Sequence, residues 1–111
     1  MPLELANPLS KYFAAQNAMD VDAMLACFSD GARVRDEGHD HSGRAEIRAW
    51  MEETTRKYQV TVRPQRVARE AGSVVVTAAV AGTFPGSPVD LRFRFALSGD
   101  RIAELEIAPA A

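Results

Sequence analysis

The chain has 111 residues and is 47% apolar, with 13 Lys and Arg against 15 Asp and Glu for a net charge of −2. That is room for one domain, residues 1–111, with a core of useful size and no separate cofactor-binding domain. Scattered basic residues argue against nucleic acid as a partner, and no apolar run approaches the roughly 18 residues of a membrane span.

The opening MPLELANPLS has neither the basic start nor the apolar run of a secretory leader. A lone cysteine, Cys27, excludes an internal disulfide and suits a reducing compartment. A cytoplasmic protein is expected.

In chain order, Leu5, Leu9, Tyr12, Phe13 and Gln16 keep helical spacing, which predicts a helix over 3–16 stopping near Asn17. Asp20 reads as the N-cap of a second helix over 20–28, with Val21, Met24, Leu25 and Phe28 on one face and Gly31 as a left-handed C-cap. Residues 32–37 alternate like a strand, and 38–43 read as a loop. Ile47, Trp50, Met51, Thr54 and Tyr58 mark one face of a third helix over 44–58. Four strands are expected after it, at 60–69, 73–84, 88–98 and 101–108, separated by turn signals such as PGSP and SGD. Helices first and strands after make an α+β domain, with a pocket between the layers wherever the sheet curves strongly.

Two periodicities point polar groups into that interior. Arg33 and Arg35 must face solvent, so Ala32, Val34 and Asp36 face inward. Helical spacing puts Tyr12 on the buried face with Leu9 and Phe13. Burial among Phe28, Val34, Trp50, Leu91 and Phe93 should raise the Asp36 pKa by desolvation and make the carboxylate a better base near neutral pH. A buried phenol ordinarily needs a hydrogen-bond partner. His39 and His41, in a loop, have no regular element to aim both rings with Asp36 at one ion, and neither H-E-x-x-H nor a cysteine pair is present, so no metal site is assigned. His39 is the candidate for contact with a ligand at the pocket mouth.

The stretch KYFAAQNAMDVDAMLACFSDGARVRDE resembles the opening of the ketosteroid isomerases, within the nuclear-transport-factor-2-like (NTF2-like) superfamily that includes the SnoaL-like polyketide cyclases. SGRAEIRAWM resembles that family's third-helix opening, and RFRFALSGDRIAELEI its closing hairpin. The resemblance implies a cone-shaped fold, three N-terminal helices packed on a curved, mostly antiparallel sheet. It implies Asp36 as general base and Tyr12 as donor to a developing oxyanion. The isomerases' second oxyanion donor, a protonated Asp, falls here on Leu91, and the Pro that often follows the base is Glu37.

Two functions are therefore expected. One is proton transfer on a hydrophobic carbonyl compound, as isomerase or cyclase, without a cofactor. The alternative is a non-catalytic ligand-binding or dimerisation module of the same fold. Family resemblance also implies a homodimer, through the outer sheet face that carries Thr77, Asp90, Arg92 and Arg94.

Overall fold

A computed structural model describes residues 5–110. Helix α1 spans Leu9–Asn17 and buries Leu9, Tyr12, Phe13, Ala15 and Gln16. It begins later than the apolar spacing predicts: residues 5–8 are not helical, and the expected start at 3 lies outside the described residues. Asn17 ends it and clamps the backbone at Val62 across the molecule. Its amide donates to the Val62 carbonyl at 2.9 Å, and its side-chain oxygen accepts from the Val62 N–H at 2.6 Å.

Helix α2, Val21–Ala26, is capped as expected, with the Asp20 carboxylate accepting from Ala23 N–H at 3.1 Å. It stops short of the expected 28. The Cys27 carbonyl accepts from Ile102 N–H at 2.8 Å and Phe28 pairs with Ile102, so the last strand draws Phe28 into the sheet. Strand β1 therefore runs Phe28–Asp36, and Gly31 lies inside it near an irregularity rather than capping the helix.

Residues 38–43 are not a loop. His39–Ser42 form strand β2, antiparallel to β1, with Asp36 opposite His39 and Val34 opposite His41. The two-residue turn has φ 54° at Glu37 and 76° at Gly38, the double left-handed geometry of a type I′ hairpin. Asn-Gly or Asp-Gly is the usual signal for that turn, and Glu-Gly hides it.

Helix α3, Arg44–Tyr58, buries Ile47 and Met51. Its start is tied to the sheet. Gly43 N–H donates to the Ala32 carbonyl at 2.9 Å, Ser42 N–H to Glu46 Oε1 at 3.0 Å, and Arg44 Nη1 to the Phe28 carbonyl at 2.7 Å. Its end rests on the chain near Gly82, where Thr83 N–H donates to the Tyr58 carbonyl at 2.7 Å. A Cβ at Gly82 would stand 2.6 Å from that carbonyl oxygen, so glycine permits the approach.

Strands β3 (Thr61–Glu70), β4 (Ser73–Ala81), β5 (Val89–Ser98) and β6 (Arg101–Pro109) follow. The expected strand over 73–84 ends three residues early, where the chain turns beneath α3. The sheet order is β2-β1-β6-β5-β4-β3, antiparallel except for the β1–β6 pair. The three helices cover one face of this curled α+β sheet.

Register converts the strands into rows of side chains on that inner face. One row runs His41, Val34, Leu105, Phe95, Val74. The next runs His39, Asp36, Ile107, Phe93, Val76, Val67. The core fills the first row: Phe95, Val34 and Leu105 are each at most 2% exposed. Each such side chain contributes about 1.5–3 kcal/mol by burial.

The opposite face is charged. Arg35, Glu106 and Arg94 are neighbours across three strands, as are Arg33, Glu104 and Ala96. Glu70 bridges Arg94 at 3.1 Å and Arg92 at 3.6 Å. These two arginines stand opposite Val75 and Thr77, and both β4 residues are buried despite facing outward. Among the described residues no helix is long and apolar enough to cross a membrane.

Candidate active site

Strands β1 and β6 end, β5 begins and α3 finishes at the same end of the sheet. Asp36 is the last residue of β1, half-buried at that end, with its side chain on the inner face beside Ile107. Trp50 lies above it on α3, and the indole N–H donates to Asp36 Oδ2 at 3.0 Å. The other face of the assembly is closed by His41, whose ring stacks on the indole with centroids 5.8 Å apart and planes 28° from parallel.

Burial pushes the Asp36 carboxyl above the ordinary Asp range. The Trp50 hydrogen bond opposes that push, the neighbouring Glu37 charge adds to it, and His41 and a Glu37 backbone hydrogen bond oppose it. The direction is the one that burial predicts, and the Trp50 N–H adds a hydrogen bond that favours the charged form.

Tyr12 is 1% exposed and sits over the adjacent row, enclosed by edge-to-face contacts with Phe13, Phe28 and Phe95 at 5.3, 5.7 and 5.8 Å. Rows on a strand face are about 7 Å apart. Its hydroxyl is buried without a hydrogen-bond partner among the described residues, as is that of Thr55. Burial first, and the Asp36 charge second, hold the phenol well above its usual pKa. It therefore stays protonated and can only donate to, or accept from, a group brought to it.

The six residues expected to line a pocket divide by exposure. Phe28, Val34 and Phe93 are packed core, at 0%, 1% and 4% exposed. Trp50 and Leu91 are half-buried at the Asp36 end, together with Val60, Phe84, Val89 and Ile107. His39 is exposed on the edge strand. It stands opposite Asp36 in register, but the ring that reaches the site is that of His41. Leu91 does face inward, paired with Pro109 and Ala78, while Asp90 is exposed. The inner row thus carries leucine where the resemblance asks for a second acid.

Ile107 and the Tyr58–Phe84 ring pair, 6.0 Å apart, were missed. Alternation along RIAELEIA would have turned Ile107 inward, but only the parallel register sets it beside Asp36. His39 and His41 do lie on a regular strand, β2, paired with the strand that Asp36 ends, contrary to the loop reading. Among the described residues no group of three or more His, Cys, Asp or Glu could hold a metal ion.

Two surface concavities lie elsewhere. One, of about 500 Å³, is bounded by the α1–α2 turn, Arg48 and Glu52. The other, of about 340 Å³, lies on the charged outer face between Arg33, Arg35, Arg94 and Glu104. Neither touches Tyr12.

The comparisons agree with this architecture. The SnoaL-like domain matches residues 9–105. A putative polyketide cyclase from Sinorhizobium meliloti is 35% identical, with 94% of this chain and 95% of that one covered and a TM-score of 0.89. A protein of ketosteroid isomerase-like fold from Catenulispora acidiphila, in complex with trimethylamine, is 20% identical over 93% and 86% of the two chains, with a TM-score of 0.80. SalBIII, an epoxide hydrolase/cyclase-like enzyme with a role in pyran ring formation in salinomycin, is 23% identical over 92% and 87%, with a TM-score of 0.79; these last two show the fold alone. No curated protein matches the chain. From the matched span and the Sinorhizobium relative, the chain belongs to the SnoaL-like family.

Proposed function

We propose that the protein binds a hydrophobic carbonyl compound at the Asp36 end of the sheet and moves a proton on it, as an isomerase or cyclase. The observation that carries this reading is that a desolvated carboxylate, Asp36, and an orphaned buried hydroxyl, Tyr12, share one interior, with the Asp36 charge acting on the phenol. Asp36 takes a proton from the carbon next to the carbonyl. The C–H electron pair forms the enolate double bond, and the carbonyl pair moves onto oxygen, where Tyr12 donates a hydrogen bond. Asp36 then returns the proton to the same or a conjugated carbon. No cofactor enters the balance.

The polyketide cyclase assignment of the Sinorhizobium relative supports a polycyclic or ring-forming ketone as substrate class. Ligand entry displaces the half-buried apolar side chains at the open end, Leu91, Ile107 and Phe84, to reach Tyr12. The free thiol of Cys27 suits action in the cytoplasm.

The test is α-hydrogen exchange on 2-decalone in D2O, followed by NMR. Asp36→Asn abolishes exchange and keeps the fold; Tyr12→Phe slows it by roughly 10²–10³, the usual cost of one oxyanion donor. Exchange equal to wild type in Asp36→Asn ends the enzyme reading. The second reading, a non-catalytic binding module, is favoured by one observation, the leucine at 91 on the inner face.

A further inference from the structure

We propose that Trp50 is a positioning residue: its indole N–H, with His41 stacked on the ring, holds Asp36 by Oδ2 and leaves Oδ1 as the oxygen that meets the bound molecule. The inference rests on the reading of Asp36 as a base.

The geometry carries it. The N–H to Oδ2 distance is 3.0 Å, ordinary for a strong hydrogen bond to a carboxylate. Asp36 ends its strand, and among the described residues the indole is the one side chain that donates a hydrogen bond to its carboxylate, beside a Glu37 backbone bond. The donor is not free. Trp50 sits on a helix whose start is fastened to β1 through Gly43 and Arg44 and to β2 through Glu46, and one ring face is covered by His41. An indole has a single donor and no acceptor, so it can engage one carboxylate oxygen and never compete for the proton.

The tryptophan is the only one in the chain, so its N–H resonance is unambiguous. In the full-length protein without ligand, that resonance should move as Asp36 titrates and stay still through the same range in Asp36→Asn. Trp50→Phe keeps an aromatic ring for the His41 stack and removes the donor. In that variant the Asp36 midpoint, read from its carboxyl carbon, should move up. Turnover of 2-decalone exchange should fall by roughly 10- to 100-fold with little change in KM, as expected for a misplaced reacting group.

An unchanged Asp36 midpoint in Trp50→Phe overturns the proposal. So does an indole resonance indifferent to Asp36, which decides the matter alone should the variant fail to fold. Coupled titrations in a protein that exchanges no ketone would uphold Trp50 as the anchor of Asp36 and remove only the catalytic reading.

Discussion

Asp36 makes the fold carry an electrostatic load. Its pKa is raised in the folded chain, so the native state keeps the proton to higher pH than the unfolded chain does. Below the ordinary Asp value, about 3.9, both states are protonated and burial has no electrostatic cost. As pH rises from there through the folded pKa, the unfolded chain ionises first and native stability falls; above it the deficit is constant. Asp36→Asn removes the ionisation and leaves an acceptor for Trp50. The variant should therefore melt higher than wild type at pH 7, with the gap closing as pH approaches 4. Thermal melts showing a gap independent of pH, or one that widens in acid, would contradict this. The inward direction of Asp36 was legible in the sequence, because Arg33 and Arg35 leave the alternation no other phase. The Trp50 bond was not, because an indole spaced helically with Ile47 and Met51 reads as apolar surface until the helix is laid across the strand.

Among the elements, the β1–β2 hairpin shows where local reading stops. The long strands declare themselves by alternation, and Asp20 by its cap. HDHS is polar throughout, three of its four residues exposed on a sheet edge, and carries no apolar period to detect. What makes it a strand is the turn at Glu37–Gly38 and the partner already formed by β1. Glu37 is costly there: a left-handed residue with a Cβ is strained by roughly 1–2 kcal/mol, and asparagine tolerates the region best among the alternatives. Glu37→Asn should raise stability by up to about 1 kcal/mol. It also removes a charge that raises the Asp36 pKa, so the Asp36 midpoint should drop in the same variant. A lower melting temperature for Glu37→Asn would show that the turn does not hold this geometry in solution.

At the scale of the molecule, the outer sheet face is a chequerboard of Arg33, Arg35, Arg92 and Arg94 with Asp40, Glu70, Glu104 and Glu106. A two-fold axis sets such a patch against itself, so a mixed-charge surface can bring arginine to glutamate, and mixed polar contacts suit the rim of a stable interface. A homodimer through this face should appear by light scattering at high micromolar concentration. It should weaken as salt screens the exposed pairs, and bury more than about 1,000 Å². A monomer at those concentrations would leave the face without a partner of its own kind.

The parallel pairing of β1 with β6 sets an order on how the chain can become this molecule. The strand that β1 needs on its inner side follows every other element in sequence, and the same strand joins it to β5. Until residues 101–109 are in place, the sheet is in two pieces, β1 with β2 and β3 to β5, tied through Asn17 on β3 and Tyr58 on Thr83, each with an open edge. Folding is thus dominated by a late contact between distant parts of the chain, the kind that slows two-state folding and leaves sticky intermediates exposed during synthesis. The closing strand acts as a keystone: it pairs with both pieces of the sheet and holds the side bearing Asp36 to the side bearing Phe93 and Leu91.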